Sequence, residues 1–337
     1  MDEMVDGKLQ ELIQRGTERY RISKEDCVKL MSYPEDSEEA GFIIDSAKRF
    51  VMNVTDGQCE IGAQIGIIIG PCYADCGFCT FAASTTDIED YTMKDDELSR
   101  YLHYIADEGI VTSVSLMTIQ NCDFGALIHS VELARSILPE SMSLAVNTGD
   151  LEEHECRELR SAGVDSAYHA LRLDESIVNM LEPIDRSRTM KNLMDAGIRV
   201  ISGVEPIGPE HSANEICDLY WKAYNAGCSA CSASAREPVP GTRLFGAGTI
   251  SKKKLEQIRS SLLLSSTWCD RTGLGFYGGY YGGFDKAFAE YAGSPKDTLE
   301  ISERNLGRTV EWARKSLKEY GFRYLKVCHG DVITLLR

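Results

Sequence analysis

The sequence predicts an α/β fold on a parallel sheet, preceded by a helical extension. Three observations carry this. Short apolar runs alternate with amphipathic helical stretches at nearly constant spacing from about residue 62 to residue 235. Three of the helical stretches close on Ala-Gly pairs, a C-cap signal. The first 55 residues show helical periodicity only, with Phe42, Ile43, Ala47, Phe50 and Val51 on one face of the stretch Glu38 to Val51. A first strand is expected at about 62–69, through Ile65-Gly-Ile-Ile-Ile69. A helix at about 95–108 follows, with Leu98, Tyr101, Leu102, Ile105 and Ala106 on one face. Val111 to Ile119 reads as the second strand, 124–137 as a helix and Ser141 to Asn147 as the third strand. The helix at about 151–162 ends at Ala162-Gly163, before a strand at 165–171. The helix at 186–196 ends at Ala196-Gly197, before the strand Ile198 to Ser202. The helix at 212–226 ends at Ala226-Gly227, before a strand at 229–235. Parallel neighbours need a crossover, and the crossover helices cover the sheet. A doubly wound sheet and a TIM-type barrel both satisfy the pattern. Beyond Gly241 the reading gives helices at about 251–266 and 303–320 and a strand from Phe322 to Val327. The Gly- and Tyr-rich segment 275–284 between them reads either as a substrate-covering loop or as a packed connection.

Bulk properties narrow the class. The 337 residues suit one large α/β domain or two small ones. A net charge of −16 argues against a nucleic-acid partner, which needs a basic face, and Lys252-Lys253-Lys254 reads as a solvated helix start. No apolar stretch approaches the length of a membrane span. The N-terminal residues lack the regions of a signal peptide, so a cytoplasmic protein is expected. In a reducing compartment its twelve cysteines would be buried, catalytic or metal-bound rather than cross-linked.

Cys72, Cys76 and Cys79 form a C-x3-C-x2-C run directly after the first strand. That places them at the C-terminal edge of the sheet, where barrels and open α/β sheets carry their active sites. Three thiolates on one loop can hold three irons of a cubane and leave the fourth iron open, whereas a cluster that only carries electrons normally has four cysteine ligands. Two alternatives stand beside this, a zinc site and unrelated free thiols. Zinc wants four ligands, and no second C-x2-C or C-x2-H lies nearby.

The run Gly70-Pro-Cys-Tyr-Ala-Asp-Cys-Gly-Phe-Cys79 resembles the cluster loop of radical S-adenosylmethionine (SAM) enzymes, most closely the biotin-synthase-like branch. That branch also includes methylornithine synthase and a hydrogenase-cofactor maturase. The likeness continues through Leu151 to Asp165, Asp195 to Gly203 and Pro238 to Thr242, and covers roughly residues 55–245. It implies a partial or full (β/α)8 TIM-type barrel at 56–337, with 1–55 as an N-terminal helical extension and 270–337 as a divergent C-terminal portion. It implies a [4Fe–4S] cluster on Cys72, Cys76 and Cys79 whose open iron binds SAM. Reductive cleavage would give a 5′-deoxyadenosyl radical that takes hydrogen from a small-molecule substrate. Cofactor or amino-acid biosynthesis is the implied setting, with rearrangement, C–C cleavage or group insertion as the step. Sulfur insertion and methyl transfer stay open, as does an iron–sulfur carrier or scaffold without substrate. An external reductant such as flavodoxin or ferredoxin is implied, with no nucleic acid and no membrane as partners.

The resemblance also carries residues over. Phe78 matches the aromatic near adenine. Arg186, nine residues before Asp195, matches an arginine that pairs with the SAM carboxylate. Asp174 matches an acid on the ribose or sulfonium side, with Arg172 beside it, and Glu205 follows the fifth strand. Relatives often end the second strand in a Gly-Gly-Glu-like run that holds the SAM amino group. Here Gln120 stands at the position of the acid, able to accept through its amide oxygen. The cysteines that hold biotin synthase's second cluster appear here as Ser115, Ala145 and Ile201, which points away from biotin synthase itself. Cys122 after the second strand reads as a hydrogen donor or a buried small residue. Cys228 and Cys231 read as packing residues, and Cys59, Cys269 and Cys328 have no spacing that argues for a further cluster.

Overall fold

The computed structural model describes residues 6–18, 22–265, 276–277, 285–292 and 308–335. Three helices, α1 (Gly7–Thr17), α2 (Lys24–Ser32) and α3 (Glu38–Val54), precede the first strand. Ser23 caps α2 by accepting from the Asp26 N–H at 3.0 Å, and Ser37 caps α3 from Ala40 at 3.2 Å. Glu25 and Asp26 in α2, and Glu38 and Glu39 in α3, sit in the first turns, where the helix dipole favours them. The buried stripe Ala40, Ile43, Ala47, Phe50 and Val51 faces inward from α3, which packs on α9 (Lys252–Leu264).

Among the described residues eight strands form a parallel array: β1 (Gln58–Ile69), β3 (Ser113–Thr118), β4 (Ser143–Asn147), β5 (Ser166–Tyr168), β6 (Arg199–Ile207), β7 (Ala230–Ala235), β8 (Phe276–Tyr277) and β9 (Lys286–Ala292), and the short β2 (Tyr91–Thr92) pairs antiparallel with β1. From β1 to β8 each strand of the array pairs with the next, and β9 returns to pair with β1. That cyclic order belongs to a TIM-type barrel; a doubly wound sheet would reverse direction at a switch point. Among the described residues no ladder joins β8 to β9. The helices α4 (Asp95–Glu108), α5 (Phe124–Ile137), α6 (Glu153–Ser161), α7 (Pro183–Asp195) and α8 (Ala213–Ala226) are the crossovers between β1 and β7. With helices outside, β3 is buried along its whole length.

The strand expected at Phe322 to Val327 is present, and its pairing places it outside the barrel. Tyr324–Lys326 (β10) pairs with Gln58 and Cys59 at the start of β1, beside the barrel, and Val332–Thr334 (β11) pairs with β10. The sequence reading did not find β9, the strand that pairs along β1 in the barrel, because Ala287 and Ala289 are too small to announce a buried strand by hydrophobicity. Phe276–Tyr277 of the Gly- and Tyr-rich segment is strand β8, and the rest of that segment lies outside the described residues. The last helix, α10, is described over Val310–Tyr320 with Thr309 as its cap, and 303–307 lie outside the described residues. No helix among the described residues is long and apolar enough to cross a membrane.

Candidate active site

The cysteine loop leaves the C-terminal end of β1 through Gly70, whose φ of 150° and whose contact with Asp90 (a side chain there would meet Oδ1 at 2.4 Å) admit only glycine. Inside the loop the Cys72 N–H bonds to Phe81 O at 2.7 Å, the Asp75 N–H to Cys72 O at 3.1 Å and the Cys79 N–H to Cys76 O at 2.9 Å. Other strand exits then pin it. The Gly77 N–H donates to Val178 O and the Met180 N–H to Ala74 O, both at 2.8 Å, and the Leu244 N–H donates to Gly77 O at 2.7 Å. Asn121 Oδ1 accepts from the Tyr73 N–H at 3.0 Å.

None of the three cysteines is in a disulfide; Cys72 and Cys76 are buried and Cys79 is half-buried. Burial raises the Cys76 thiol against the pull of Arg172. Burial and then the neighbouring Cys76 push Cys79 up to about 12. The Gln120 N–H points at Cys72 Sγ at 3.4 Å. Neighbouring thiols shifted upward by burial and by one another's charge, one of them already accepting an N–H bond, fit a positively charged iron–sulfur cluster. No three Cys, His, Asp or Glu side chains among the described residues converge on a single-ion position. Sulfurs that each take their own iron suit a cluster of several irons.

Around this loop the barrel exits bring charged groups together. Arg172, just beyond β5, lies over the Phe78 ring at 5.6 Å and bonds Glu205 through Nη1–Oε1 at 2.7 Å, with Glu205 buried. Arg186 on α7 is buried and donates from Nη1 to Asp150 Oδ1 at 2.9 Å and from Nη2 to Ala170 O at 3.0 Å. Its Nε stands 3.6 Å from Glu175 Oε1. Asp150 Oδ2 also accepts from Gln120 Nε2 at 2.7 Å, and His169 Nε2 lies 3.4 Å from Oδ1. Burial alone would raise the Asp150 carboxyl, but His169 and Arg186 outweigh it and hold it at about 2. Burial, then Arg186, lowers His169 to about 4, so its imidazole is neutral at pH 7.

Asp174 stands apart from this group. It accepts from His211 Nε2 at 3.0 Å, while His211 Nδ1 accepts from the Gly208 N–H at 2.8 Å, which fixes the neutral tautomer. Arg172, not Asp174, is thus the strand-exit residue that meets Phe78. Cys122 is half-buried with its sulfur 3.4 Å from Thr148 Oγ1. Ser115 and Ala145 are register partners across β3 and β4, and Ile201 pairs with Tyr168 across β5 and β6. Cys59, Cys228 and Cys231 are buried at the N-terminal ends of β1 and β7, opposite the loop, and Cys269 lies outside the described residues.

Asp150, His169 and Glu175 are the site residues that sequence reasoning missed. Asp150 had one signal, its place in Thr148-Gly149-Asp150 directly after a strand of a parallel array. A cavity of about 1050 Å³, lined by Arg100, Tyr104, Glu290, Tyr291 and Arg314, touches none of these residues.

No family model matches the chain. Among curated proteins it is similar to the biotin synthase of Persephonella marina, 24% identical over 266 residues, which are 74% of this chain and 75% of that protein. It is likewise similar to the biotin synthase of Rhodopirellula baltica, 24% identical over 193 residues, 54% and 52% of the two chains. Among solved structures, methylornithine synthase (PylB) superposes with a TM-score of 0.75 at 15% identity, covering 92% of this chain and 96% of that one. The [FeFe]-hydrogenase maturase HydG superposes with a TM-score of 0.75 at 13% identity, covering 95% and 76%.

Proposed function

We propose that this chain, a radical SAM enzyme of the biotin-synthase-like branch that works with a [4Fe–4S] cluster and SAM, abstracts hydrogen from a small molecule held in the barrel. A cofactor or amino-acid biosynthetic reaction that rearranges, cleaves or inserts a group is the reading we favour. When bound, the cluster and SAM supply one-electron cleavage of the sulfonium to a carbon radical.

The chain's own residues would hold and orient. Cys72, Cys76 and Cys79 would ligate three irons and leave the fourth for SAM. Phe78 and Arg172 would flank the adenine side. Arg186 has five N–H donors and commits one each to Asp150 and Ala170, which leaves others for a carboxylate. Asp174 and Glu205 would contribute from the rim and the wall. Tyr73, 54% exposed beside Cys72, marks the loop as reachable by an external one-electron carrier such as flavodoxin or ferredoxin. Ser115, Ala145 and Ile201 supply no thiolate for a second cluster, which favours chemistry other than sulfur donation by that route. The same reading takes 1–55 as an extension to one barrel domain at 56–337.

The observation that carries the proposal is the three-thiol loop at the barrel's C-terminal edge, with Cys72 and Cys76 buried and the Gln120 N–H on Cys72 Sγ. Anaerobic reconstitution and reduction in the presence of SAM should yield 5′-deoxyadenosine by chromatography. Iron-loaded protein that yields none would overturn it.

A further inference from the structure

We propose that Asp150 is a positioning residue for the cofactor, which fixes the Gln120 amide with its oxygen outward and supplies, from behind, the negative charge that the amide lacks. The inference rests on the SAM-binding reading above. It starts from two backbones that touch: a side chain at Gly149 would meet Gln120 O at 2.0 Å, so only glycine lets the β4 exit close on the β3 exit. That contact brings the Asp150 carboxylate to Gln120. A carboxylate only accepts hydrogen bonds, so the amide must present Nε2 to it, at 2.7 Å, and turn Oε1 away. Among the described residues Gln120 Oε1 has no partner. The same residue's main-chain N–H reaches Cys72 Sγ at 3.4 Å. One residue therefore touches a cluster ligand through its backbone and offers a free, carboxylate-polarised acceptor from its side chain, suited to a ligand's ammonium group. The second Asp150 oxygen holds Arg186, so one carboxylate orients an acceptor and a cation on either side of the same place.

The test titrates SAM into anaerobically reconstituted protein and reads the dissociation constant, with iron content and thermal midpoint measured alongside. Asp150→Asn lets the amide flip and removes the charge. It should weaken SAM about tenfold or more at unchanged iron content, the scale of a lost hydrogen bond to a charged group. The double variant Gln120→Glu with Asp150→Asn moves the carboxylate one position forward, and should recover affinity to within about threefold of wild type. Gln120→Met, which keeps the Asp150–Arg186 pair and the main-chain N–H, should lose affinity to a similar degree and guards against a folding failure of Asp150→Asn. A merely structural Asp150 would lower the thermal midpoint without rescue by the relocated charge. Wild-type affinity in Asp150→Asn or in Gln120→Met, or a double variant no better than Asp150→Asn, would overturn the inference. If wild-type protein with full iron binds no SAM, the reading under Proposed function fails instead.

Discussion

The two ends of the barrel both carry buried thiols, and they use them in opposite senses. At the N-terminal end, Cys59 Sγ donates to Tyr324 O at 3.1 Å and Cys231 Sγ to Ser232 O at 3.4 Å. Burial pushes Cys59 up to about 12 and Cys231 well above the thiol range, so both stay protonated. At the C-terminal end, Cys72 Sγ accepts, from the Gln120 N–H, while burial raises its loop neighbours too, Cys76 against the pull of Arg172 and Cys79 with the added push of Cys76. The difference teaches that burial alone does not mark a metal ligand. A thiol that gives its proton to a carbonyl is finished; one that receives an N–H, beside others, waits for positive charge.

Replacing one thiol at each end should break the comparison most visibly. Cys76→Ala should remove the cubane iron and all 5′-deoxyadenosine formation from a protein that stays folded. Cys59→Ala should keep both and lose only about 1 kcal/mol of stability. Iron analysis and denaturant unfolding measure the two sides, and equal iron loss in both variants would erase the contrast.

The next effect is on SAM. Arg186→Ala should retain iron, raise the SAM dissociation constant about tenfold or more, and cost roughly 3 kcal/mol through the unpaired Asp150. Unchanged SAM affinity in a titration would restrict Arg186 to holding Asp150.

The smallest effect is a pH slope. His169 titrates near 4 in the folded protein against an ordinary 6.5, first through burial and then through Arg186. Between those values the unfolded chain binds a proton that the folded chain does not. Stability from this group is therefore present above the upper value and lost as pH falls toward the lower one, on the order of 3 kcal/mol. His169→Gln should flatten unfolding free energy over that window by up to one proton; an unchanged slope would contradict a neutral buried imidazole.

What could be read from the sequence depended on whether partners were close along the chain. The cysteine loop was legible because its three cysteines sit within one turn after a strand, and the crossovers were legible because apolar runs and Ala-Gly caps are local. Asp150 was not, because Gln120, Arg186 and His169 reach it only where separate strand exits meet. Asp174 was matched by its place in the chain, but the backbone sends it to His211 and brings Arg172 onto Phe78. Strand β9 was missed because buried Ala287 and Ala289 have no strong pattern, while the strand read at Phe322 to Val327 is present as Tyr324–Lys326, though its pairing with the start of β1 was not legible.

Electron paramagnetic resonance of the reduced, reconstituted protein, with and without SAM, tests the central claim most directly. A [4Fe–4S] signal that changes on SAM addition, persists in Cys59→Ala and vanishes in Cys76→Ala is the expected result. A signal indifferent to SAM, or one that survives in Cys76→Ala, would contradict an open-iron cluster on Cys72, Cys76 and Cys79.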